Sequence, residues 1–305
     1  MASFNFKLAD GNSLPGVGLG VFMMEGPDCV SAVLAALAAG YRHIDTAQSY
    51  NNEAAVGEGL KASGVPRESV YITTKLWPGN PAWGMPLKSH EEAVAACKAS
   101  VADLGIETVD LLLVHAPFGG TEGRLGIWKA LIECQKQGLA KSIGVCNYGI
   151  AHLEEIAAAG LPAPTVNQIE LHPMTQKAEL LAYMAEKKIQ PIAYSSLALL
   201  ESWRHNYPAI RGTITDCERE KAAPVATLAT QLNVSPARVL LRYALQKGWA
   251  VLPKSTRKDR IKENFDLDTF SLNRDQMKQL DELEAGANFA WDAPPGQHSD
   301  LTTTL

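Results

Sequence analysis

The 305-residue sequence has no long apolar run, no excess of basic residues and no clustered cysteines. No segment approaches the roughly 20 apolar residues that a membrane-spanning helix needs, so we expect no membrane partner. A formal net charge of −5 and a pI near 5.8 argue against a broad nucleic-acid surface. The amino terminus lacks a basic segment followed by an apolar one, so no signal peptide is expected. These absences favour a cytoplasmic protein.

The five cysteines are odd in number and lack the short spacings of metal sites: Cys29, Cys97, Cys134, Cys146 and Cys217. Reduced thiols are the simplest interpretation, and we expect no metal. The sequence does contain a hydrophobic fraction of 46% and a charged fraction of 20%, which is typical of a soluble protein with a sizeable core. A chain of this length could form two domains, but barrels of this size often form one, so we expect a single domain over residues 1–305.

Short apolar segments alternate with segments of helical periodicity along the chain. The apolar segments predict eight strands, at residues 17–20, 41–46, 70–76, 109–115, 142–147, 165–171, 189–195 and 250–255. Helices are predicted near 27–39, 53–63, 90–104, 123–137, 150–159, 177–187, 225–232, 236–247 and 259–264. Ahead of them, alternating apolar residues around Asp10 and Gly11 predict a hairpin.

Strands that alternate with helices pair in parallel, and near-continuous apolar strands are buried on both faces. A doubly wound open sheet and an eight-stranded barrel both satisfy this pattern. The count of eight strands, and the lack of a Gly-x-Gly-x-x-Gly motif after the first, favour the barrel. The predicted fold is therefore α/β, a (β/α)8 TIM barrel with an amino-terminal β-hairpin. The polar tail, with Pro294 and Pro295, is predicted to form a carboxyl-terminal loop over the active site.

In such a barrel, the chemistry lies at the carboxyl ends of the strands. Polar residues stand there on most of the predicted strands: Asp45, Tyr50, Lys75, His115, Asn147, Gln168, Tyr194, Lys254 and Ser255. Each has a structural explanation of its own, because a buried Lys can form an ion pair and a lone His can simply be part of the core. An Asp, a Tyr, a Lys and a His at the same end of the barrel indicate a catalytic site.

The whole chain resembles the aldo-keto reductase superfamily. The motifs that carry this resemblance are Gly-Tyr-Arg-His-Ile-Asp-Thr-Ala with Tyr50 downstream, Ile-Thr-Thr-Lys-Leu-Trp, Asp-Leu-Leu-Leu-Val-His, Ile-Gly-Val-Cys-Asn, Asn-Gln-Ile-Glu, and Leu-Pro-Lys-Ser followed by Arg260. The resemblance implies a barrel enzyme that reduces aldehydes and ketones to alcohols with NADPH. It also implies a catalytic tetrad of Asp45, Tyr50, Lys75 and His115.

The tetrad chemistry is physically reasonable. Hydride addition to a carbonyl builds negative charge on oxygen, so a proton donor is needed. Tyr50 would supply that proton, and a nearby Lys75 would lower its pKa from the ordinary value near 10. Asp45 would hold Lys75 charged, and His115 would orient the substrate oxygen. None of these side chains can supply hydride, so a cofactor must carry it.

The basic segment from Lys254 to Arg260 lies between the last strand and a helix, where an anion binds well. Arg260 offers a planar fork and Lys254 a point charge for a 2′-phosphate, which favours NADPH, with NADH possible but weaker.

By resemblance, Glu263 and Asn264 approach the adenine. Asn147 and Gln168 approach the nicotinamide amide, and Tyr194 stacks on the ring. The other expected cofactor contacts are Gly20, Val21, Asp45, Cys146, Ser195, Ser196, Leu197, Ser255 and Thr256.

The expected substrate pocket is lined by Phe22, Tyr50, Trp77, His115, Ala116, Phe118 and Trp291. Three positions depart from the family pattern, with Cys146 where Ser is common, Ser196 where Pro is common and Ala116 where several members carry Trp. These differences affect substrate choice rather than reaction type. The expected partner is a small carbonyl compound, and the protein is expected to be a monomer or a weak homodimer.

Two alternatives remain open at this point. One is a family-like barrel without activity that acts as a regulatory or binding subunit. The other is a cofactor-free isomerase or aldolase in which Lys75 forms a Schiff base.

Overall fold

The computed structural model describes residues 4–198, 200, 216–286 and 290. Within these residues the strands are β1 (Asn5–Lys7), β2 (Ser13–Pro15), β3 (Leu19–Gly20), β4 (His43–Asp45), β5 (Tyr71–Leu76), β6 (Val109–Val114), β7 (Ala140–Cys146), β8 (Val166–Glu170), β9 (Gln190–Tyr194) and β10 (Ala250–Val251). The helices are α1 (Gly26–Ala39), α2 (Glu53–Ser63), α3 (His90–Asp103), α4 (Gly120–Lys136), α5 (Ile150–Ala158), α6 (Ala178–Glu186), α7 (Asp216–Leu232), α8 (Pro236–Gln246), α9 (Lys258–Phe265) and α10 (Arg274–Asp281).

Strands β3 to β10 form one parallel sheet in which each strand pairs with its neighbour in sequence. The sheet closes on itself because Val17, just before β3, pairs in parallel with Val251 of β10. Two backbone bonds flank this bridge, from Gly18 N to Val251 O at 2.9 Å and from Val251 N to Gly16 O at 2.8 Å. The predicted (β/α)8 barrel is confirmed, and a doubly wound open sheet is excluded.

The helix predictions fail at two places. The helix predicted at 225–232 is only the second half of α7, which contains Pro224 in its interior. Proline usually ends a helix, but here Pro224 lies inside one, so the last part of the predicted loop is helical. Helix α10 was not predicted at all, although Asn273 accepts from Gln276 N at 2.9 Å and the Gln276 side chain accepts from Asn273 N. Asn273 and Gln276 thus form a capping box, and their spacing in the sequence could have predicted the start of α10.

The predicted hairpin is formed by β1 and β2, which pair in antiparallel register, and it covers the amino-terminal end of the barrel. Leu14 is fully buried and packs with Leu111 and Ile192 in the core inside the barrel. The Ser142 hydroxyl near the start of β7 donates to Asp10 at 2.6 Å and thereby ties the turn to the barrel wall. The carboxyl end of the barrel is left for a functional site.

His43 is a fully buried histidine on β4, close to the point where the barrel closes. Its Nδ1 lies 3.3 Å from the Pro15 carbonyl oxygen, which can only accept, so Nδ1 carries the proton. Its Nε2 then accepts from the Thr73 hydroxyl at 2.9 Å. A Cβ on Gly18 would lie 2.7 Å from the His43 ring, which is why a residue without a side chain stands there.

We expect the free energy of unfolding to decrease as the pH is lowered from about 6.5 to about 4. Burial lowers the pKa of His43 from 6.5 to about 4, so in this range the unfolded chain binds a proton that the folded chain excludes. The slope from one such histidine is at most about 1.4 kcal/mol per pH unit. Urea unfolding at several pH values measures it, and His43→Gln should make the dependence shallower. Equal slopes for the two proteins would contradict this assignment.

Candidate active site

Asp45 and Lys75 form a buried ion pair at the carboxyl end of the barrel. Asp45 is the last residue of β4, Lys75 lies near the end of β5, and Lys75 Nζ donates to Asp45 Oδ1 at 2.5 Å. The same ammonium group donates to the Thr46 carbonyl oxygen at 2.8 Å. The other carboxylate oxygen, Asp45 Oδ2, accepts from Gln168 Nε2 at 2.8 Å. The charges are therefore paired and hydrogen-bonded, as buried charges must be.

Tyr50 reaches this ion pair from a single 3₁₀ turn, Gln48–Tyr50. Its hydroxyl oxygen lies 3.3 Å from Lys75 Nζ. The turn is fixed before Tyr50, where the Gln48 side chain accepts from Trp77 N at 3.3 Å. It is also fixed after Tyr50, where Asn52 Nδ2 donates to the carbonyl oxygens of the segment after β3. The loop thus holds the phenol in a defined position.

The protonation states of these groups follow from burial and from the ion pair. Burial opposes the charge on Lys75, but Asp45 and the Tyr50 oxygen outweigh it, so the pKa of Lys75 is raised and the amine stays protonated. Burial raises the pKa of Tyr50 to about 12, although Lys75 acts in the opposite direction. Lys75 therefore lowers the pKa of Tyr50, as expected, but burial raises that pKa by more, so the net change is upward. A Schiff-base role requires a neutral amine, which this environment disfavours.

His115 follows β6 directly, and its ring stands between Tyr50 and Trp77. The ring centroids are 5.6 Å from that of Tyr50 and 5.5 Å from that of Trp77, both in edge-on geometry. Burial, and secondarily the charge of Lys75, lower the pKa of His115 well below its usual range. The imidazole is therefore neutral at physiological pH. The Ser49 hydroxyl, which the sequence analysis did not single out, lies 3.2 Å from His115 Nδ1.

Asn147 and Tyr194 lie together at the ends of β7 and β9. The Tyr194 hydroxyl donates to Asn147 Oδ1 at 2.8 Å, and Asn147 Nδ2 donates to the His115 carbonyl oxygen at 3.2 Å. Asn147 has a φ of 62° and Ser195 a φ of 54°, so both residues adopt the left-handed region directly after a strand. Such backbone is uncommon outside glycine and is concentrated at functional sites.

The basic segment after β10 carries cations that make no ion pair with a described residue. Arg257 pairs with Asp259 at 2.5 Å, whereas neither Lys254 nor Arg260 makes an ion pair with any residue that the structure describes. Lys254 is exposed along much of its length, but partial burial of its ammonium group lowers its pKa, and no carboxylate of the described residues offsets this effect. The side chains of Arg260, Glu263 and Asn264 share one face of α9 because they are three and four residues apart. The arrangement fits an anionic ligand such as a dinucleotide phosphate.

The other predicted cofactor residues occupy different environments. Gly20 packs against the residue that follows β10, since an added Cβ would lie 2.9 Å from the Leu252 carbonyl oxygen, and Val21 is fully buried. Cys146 is buried inside the barrel, and burial raises its pKa, so it is a thiol. The Ser196 hydroxyl donates to the Ala193 carbonyl oxygen at 3.2 Å.

The remaining predicted cofactor residues lie at the ends of β9 and β10. Leu197 is half-buried in the turn after β9. The Ser255 hydroxyl accepts from Arg257 N at 3.1 Å, and Thr256 is exposed.

Aromatic side chains surround the tetrad on one side. Phe22 lies 4.9 Å from Tyr50 between ring centroids, and Trp77 lies 5.6 Å from Phe118. Trp83, which the sequence analysis missed, stacks on Trp77 at 5.9 Å and is 38% exposed. Trp83 lies in a short turn that is closed by an antiparallel backbone bridge between Asn80 and Met85. Little in the local sequence predicts this turn.

Of the predicted pocket residues, Ala116 is buried and Trp291 lies outside the described part of the chain. Ala116 is 1% exposed, so a larger residue there would have to displace its neighbours. Trp291 and the predicted carboxyl-terminal loop lie outside the described residues, apart from Ala290, whose N–H donates to Glu170 at 2.8 Å.

Two cavities of the described part lie at the opposite end of the barrel from the tetrad. One, of about 670 Å³, is bounded by the hairpin, Arg42, Asp110 and Lys141. The other, of about 880 Å³, lies between the hairpin, α6 and Trp249. Neither is lined by a tetrad residue.

The described residues contain neither a candidate membrane-spanning helix nor a candidate metal site. No helix there is both long and apolar enough to cross a lipid bilayer. No group of His, Cys, Asp and Glu side chains among the same residues could hold a metal ion.

Comparison with known proteins gives consistent matches over nearly the whole chain. A sequence model of the aldo/keto reductase family matches residues 17–285. The chain is 38% identical over 280 residues to methylglyoxal reductase DkgA of Escherichia coli (strain K12), covering 92% of this chain and 93% of that one. It is 39% identical over 282 residues to an aldo-keto reductase of Mycolicibacterium vanbaalenii, with 92% of each chain covered.

Solved structures show the same similarity. An aldo/keto reductase from Brucella melitensis superposes with a TM-score of 0.79 at 36% identity, covering 92% of this chain and 99% of the other. The Bombyx mori aldo-keto reductase in complex with NADP superposes with a TM-score of 0.80 at 30% identity, covering 93% and 94%.

Proposed function

The chain belongs to the aldo/keto reductase family, and on that premise we propose that Asp45, Tyr50, Lys75 and His115 are its catalytic residues. The protein is an NADP-dependent oxidoreductase that reduces aldehydes and ketones to alcohols, and its cofactor is NADPH. One observation carries the residue assignment. Lys75 Nζ lies within hydrogen-bonding distance of both Asp45 Oδ1, at 2.5 Å, and the Tyr50 hydroxyl, at 3.3 Å.

In this proposal Tyr50 donates the proton to the carbonyl oxygen. A phenol with a pKa of about 12 is protonated at neutral pH, so the donor form is present. When the proton leaves, a negative charge remains on the phenolate oxygen, and the Lys75 ammonium group next to it stabilises that charge. Asp45 keeps Lys75 protonated, and Gln168 holds Asp45 from the other side.

We propose that His115 orients the substrate carbonyl. Its ring is neutral, so it can donate one hydrogen bond without adding a full charge to the site. The ring is held edge-on between Tyr50 and Trp77, which places it next to the proposed proton donor. A carbonyl oxygen bound there would be close to both donors at the moment when its charge develops.

NADPH supplies the hydride when it is bound. We propose that Arg260 and Lys254 hold its 2′-phosphate and that Glu263 and Asn264 lie along the adenine. Tyr194 would stack on the nicotinamide, beside Asn147 and Gln168. We propose as further cofactor contacts the residues that the resemblance implies: Gly20, Val21, Asp45, Cys146, Ser195, Ser196, Leu197, Ser255 and Thr256. Two observations support this placement: Lys254 and Arg260 make no ion pair with the part of the chain that the structure describes, and Asn147 and Ser195 have left-handed backbone.

We propose that the substrates are small aldehydes and ketones, including ketoaldehydes such as the methylglyoxal named for the Escherichia coli relative. The pocket would have an apolar wall, as ligand pockets usually have, formed by Phe22, Trp77, Trp83 and Phe118.

We further propose that the protein is cytoplasmic and is a monomer or a weak homodimer. In the described part of the chain, the exposed large apolar side chains are Met23, Trp83 and Met85, which are fewer than an obligate apolar interface needs.

The function is tested with purified protein, NADPH and a panel that contains a small aldehyde, methylglyoxal, a cyclic ketone and a cyclic diketone. We expect loss of NADPH absorbance and formation of the matching alcohols by mass spectrometry. Borohydride added with a carbonyl and no cofactor should leave no adduct on Lys75. An absence of turnover with every compound, in a folded protein that binds NADPH, would favour a binding subunit instead.

Arg260→Ala is expected to weaken NADPH binding by roughly 10- to 100-fold, because a charge-assisted contact contributes about 1.5–3 kcal/mol. NADH binding should change little, since NADH has no 2′-phosphate. Fluorescence titration of both cofactors measures the difference. Lys262→Ala is the control, because it removes an exposed cation from another face of the same helix. Equal losses for NADPH and NADH would place the phosphate site elsewhere.

A further inference from the structure

One nitrogen of the His115 ring has a hydroxyl group beside it. The Ser49 hydroxyl oxygen lies 3.2 Å from Nδ1. Ser49 is exposed and belongs to the same 3₁₀ turn as Tyr50. The contact therefore connects the turn that carries the proposed proton donor with the residue proposed to orient the substrate.

The position of the His115 proton determines what the ring can do. A neutral imidazole carries one proton, and the other nitrogen is an acceptor. If the proton is on Nδ1, then Nε2 presents a lone pair, which would repel the negative oxygen formed during carbonyl reduction. If the proton is on Nε2, the ring donates to that oxygen. The partner of one nitrogen decides which form is present.

We propose that Ser49 is a positioning residue that donates its hydroxyl proton to His115 Nδ1 and so keeps the ring proton on Nε2. The inference rests on the proposed role of His115 in orienting the carbonyl. Because burial and the charge of Lys75 keep the ring neutral, only one ring nitrogen carries a proton and the other has a lone pair. In this proposal the lone pair is on Nδ1, which lies 3.2 Å from the hydroxyl that donates to it. Since Ser49 is exposed, its oxygen can accept a bond from water while it donates, which strengthens the donor.

The turn is rigid enough for such a role. Gln48 accepts from Trp77 N on one side of Ser49, and Asn52 binds the carbonyl oxygens of Val21 and Met24 on the other. Thr46 donates to the Asn52 side chain at 2.6 Å and so completes the support. The Ser49 hydroxyl therefore needs little further ordering to stay near the ring, so its contact with Nδ1 can persist in solution.

The test is a comparison of wild type, Ser49→Ala and Ser49→Thr. The tautomer is determined by nitrogen NMR of protein labelled in its seven histidines, with His115→Gln used to assign the His115 signals. Wild type should show a protonated Nε2 and a bare Nδ1. Ser49→Ala should show a mixture of both tautomers, with kcat and kcat/KM lower by roughly 2- to 10-fold, the usual effect of one lost hydrogen bond. NADPH affinity should be unchanged.

Ser49→Thr keeps the hydroxyl at an exposed position and should restore both the tautomer and the rate. A wild-type ring protonated on Nδ1 would overturn the proposal. So would a rate loss in Ser49→Ala without a tautomer change, because Ser49 would then act on the substrate itself. The NMR experiment needs no substrate and no turnover. A failure of the Ser49 proposal can therefore be distinguished from a failure of the proposed function.

Discussion

Tyr50→Phe is expected to lower kcat for carbonyl reduction by about 10²- to 10⁴-fold, the usual contribution of a positioned proton donor. The substitution removes one hydroxyl group and leaves the ring, which packs against Phe22 and His115. The fold and the affinity for NADPH should therefore stay close to those of wild type. Steady-state kinetics on one aldehyde and one ketone, together with NADPH titration, measure the two effects.

The matched control is Tyr148→Phe. Tyr148 is fully buried, and its hydroxyl has no hydrogen-bond partner in the described structure. Removing that hydroxyl should leave the rate unchanged. Wild-type turnover by Tyr50→Phe would mean that another group, or water, donates the proton.

Lys75→Met is expected to affect both activity and stability. Without the ammonium group, the phenolate of Tyr50 loses its stabilising charge, so the rate should fall nearly as far as in Tyr50→Phe. Asp45 would be left buried with its Gln168 bond only. An unpaired buried charge of this kind typically costs about 3–5 kcal/mol in the free energy of unfolding. Urea unfolding at neutral pH gives this value.

The double variant Asp45→Asn with Lys75→Met separates the two effects. It removes both charges, so much of the stability should return while the activity stays low. If Lys75→Met alone were as stable as wild type, the carboxylate would have to be protonated or solvated in the folded protein. If the double variant regained activity, Lys75 would not assist Tyr50.

The sequence predicted the barrel well because the information needed is local. Each strand is a short apolar run. Where a strand contributes to the tetrad, the residue lies within that run or a few positions beyond it: Asp45 and Lys75 lie within their strands, and Tyr50 follows shortly after β4. The rule that parallel barrels expose the carboxyl ends of their strands then brings these residues together. Helix α7 is longer than the helix predicted at 225–232, because it extends past Pro224, a residue type that usually ends a helix.

The details of the site could not be predicted, because they depend on contacts between distant residues. Ser49 and His115 are 66 positions apart, and Gln168 and Asp45 are 123 apart. The pKa of Tyr50 is set mainly by burial, which no short segment encodes. Trp83 joins the aromatic wall only because of how the segment between β5 and α3 turns back on itself.

The bond between Gln168 and Asp45 has a mechanical consequence. Strands β4 and β8 are four positions apart in the eight-stranded sheet, so they stand on opposite walls, and this bond crosses the interior between them. Lys75 of β5 joins the same carboxylate. The mouth of the barrel thus has an internal brace built from the groups proposed to carry out the chemistry. Widening the mouth would break that brace, so the spacing of these groups is fixed before any ligand arrives, and no reorganisation is left for the reaction step.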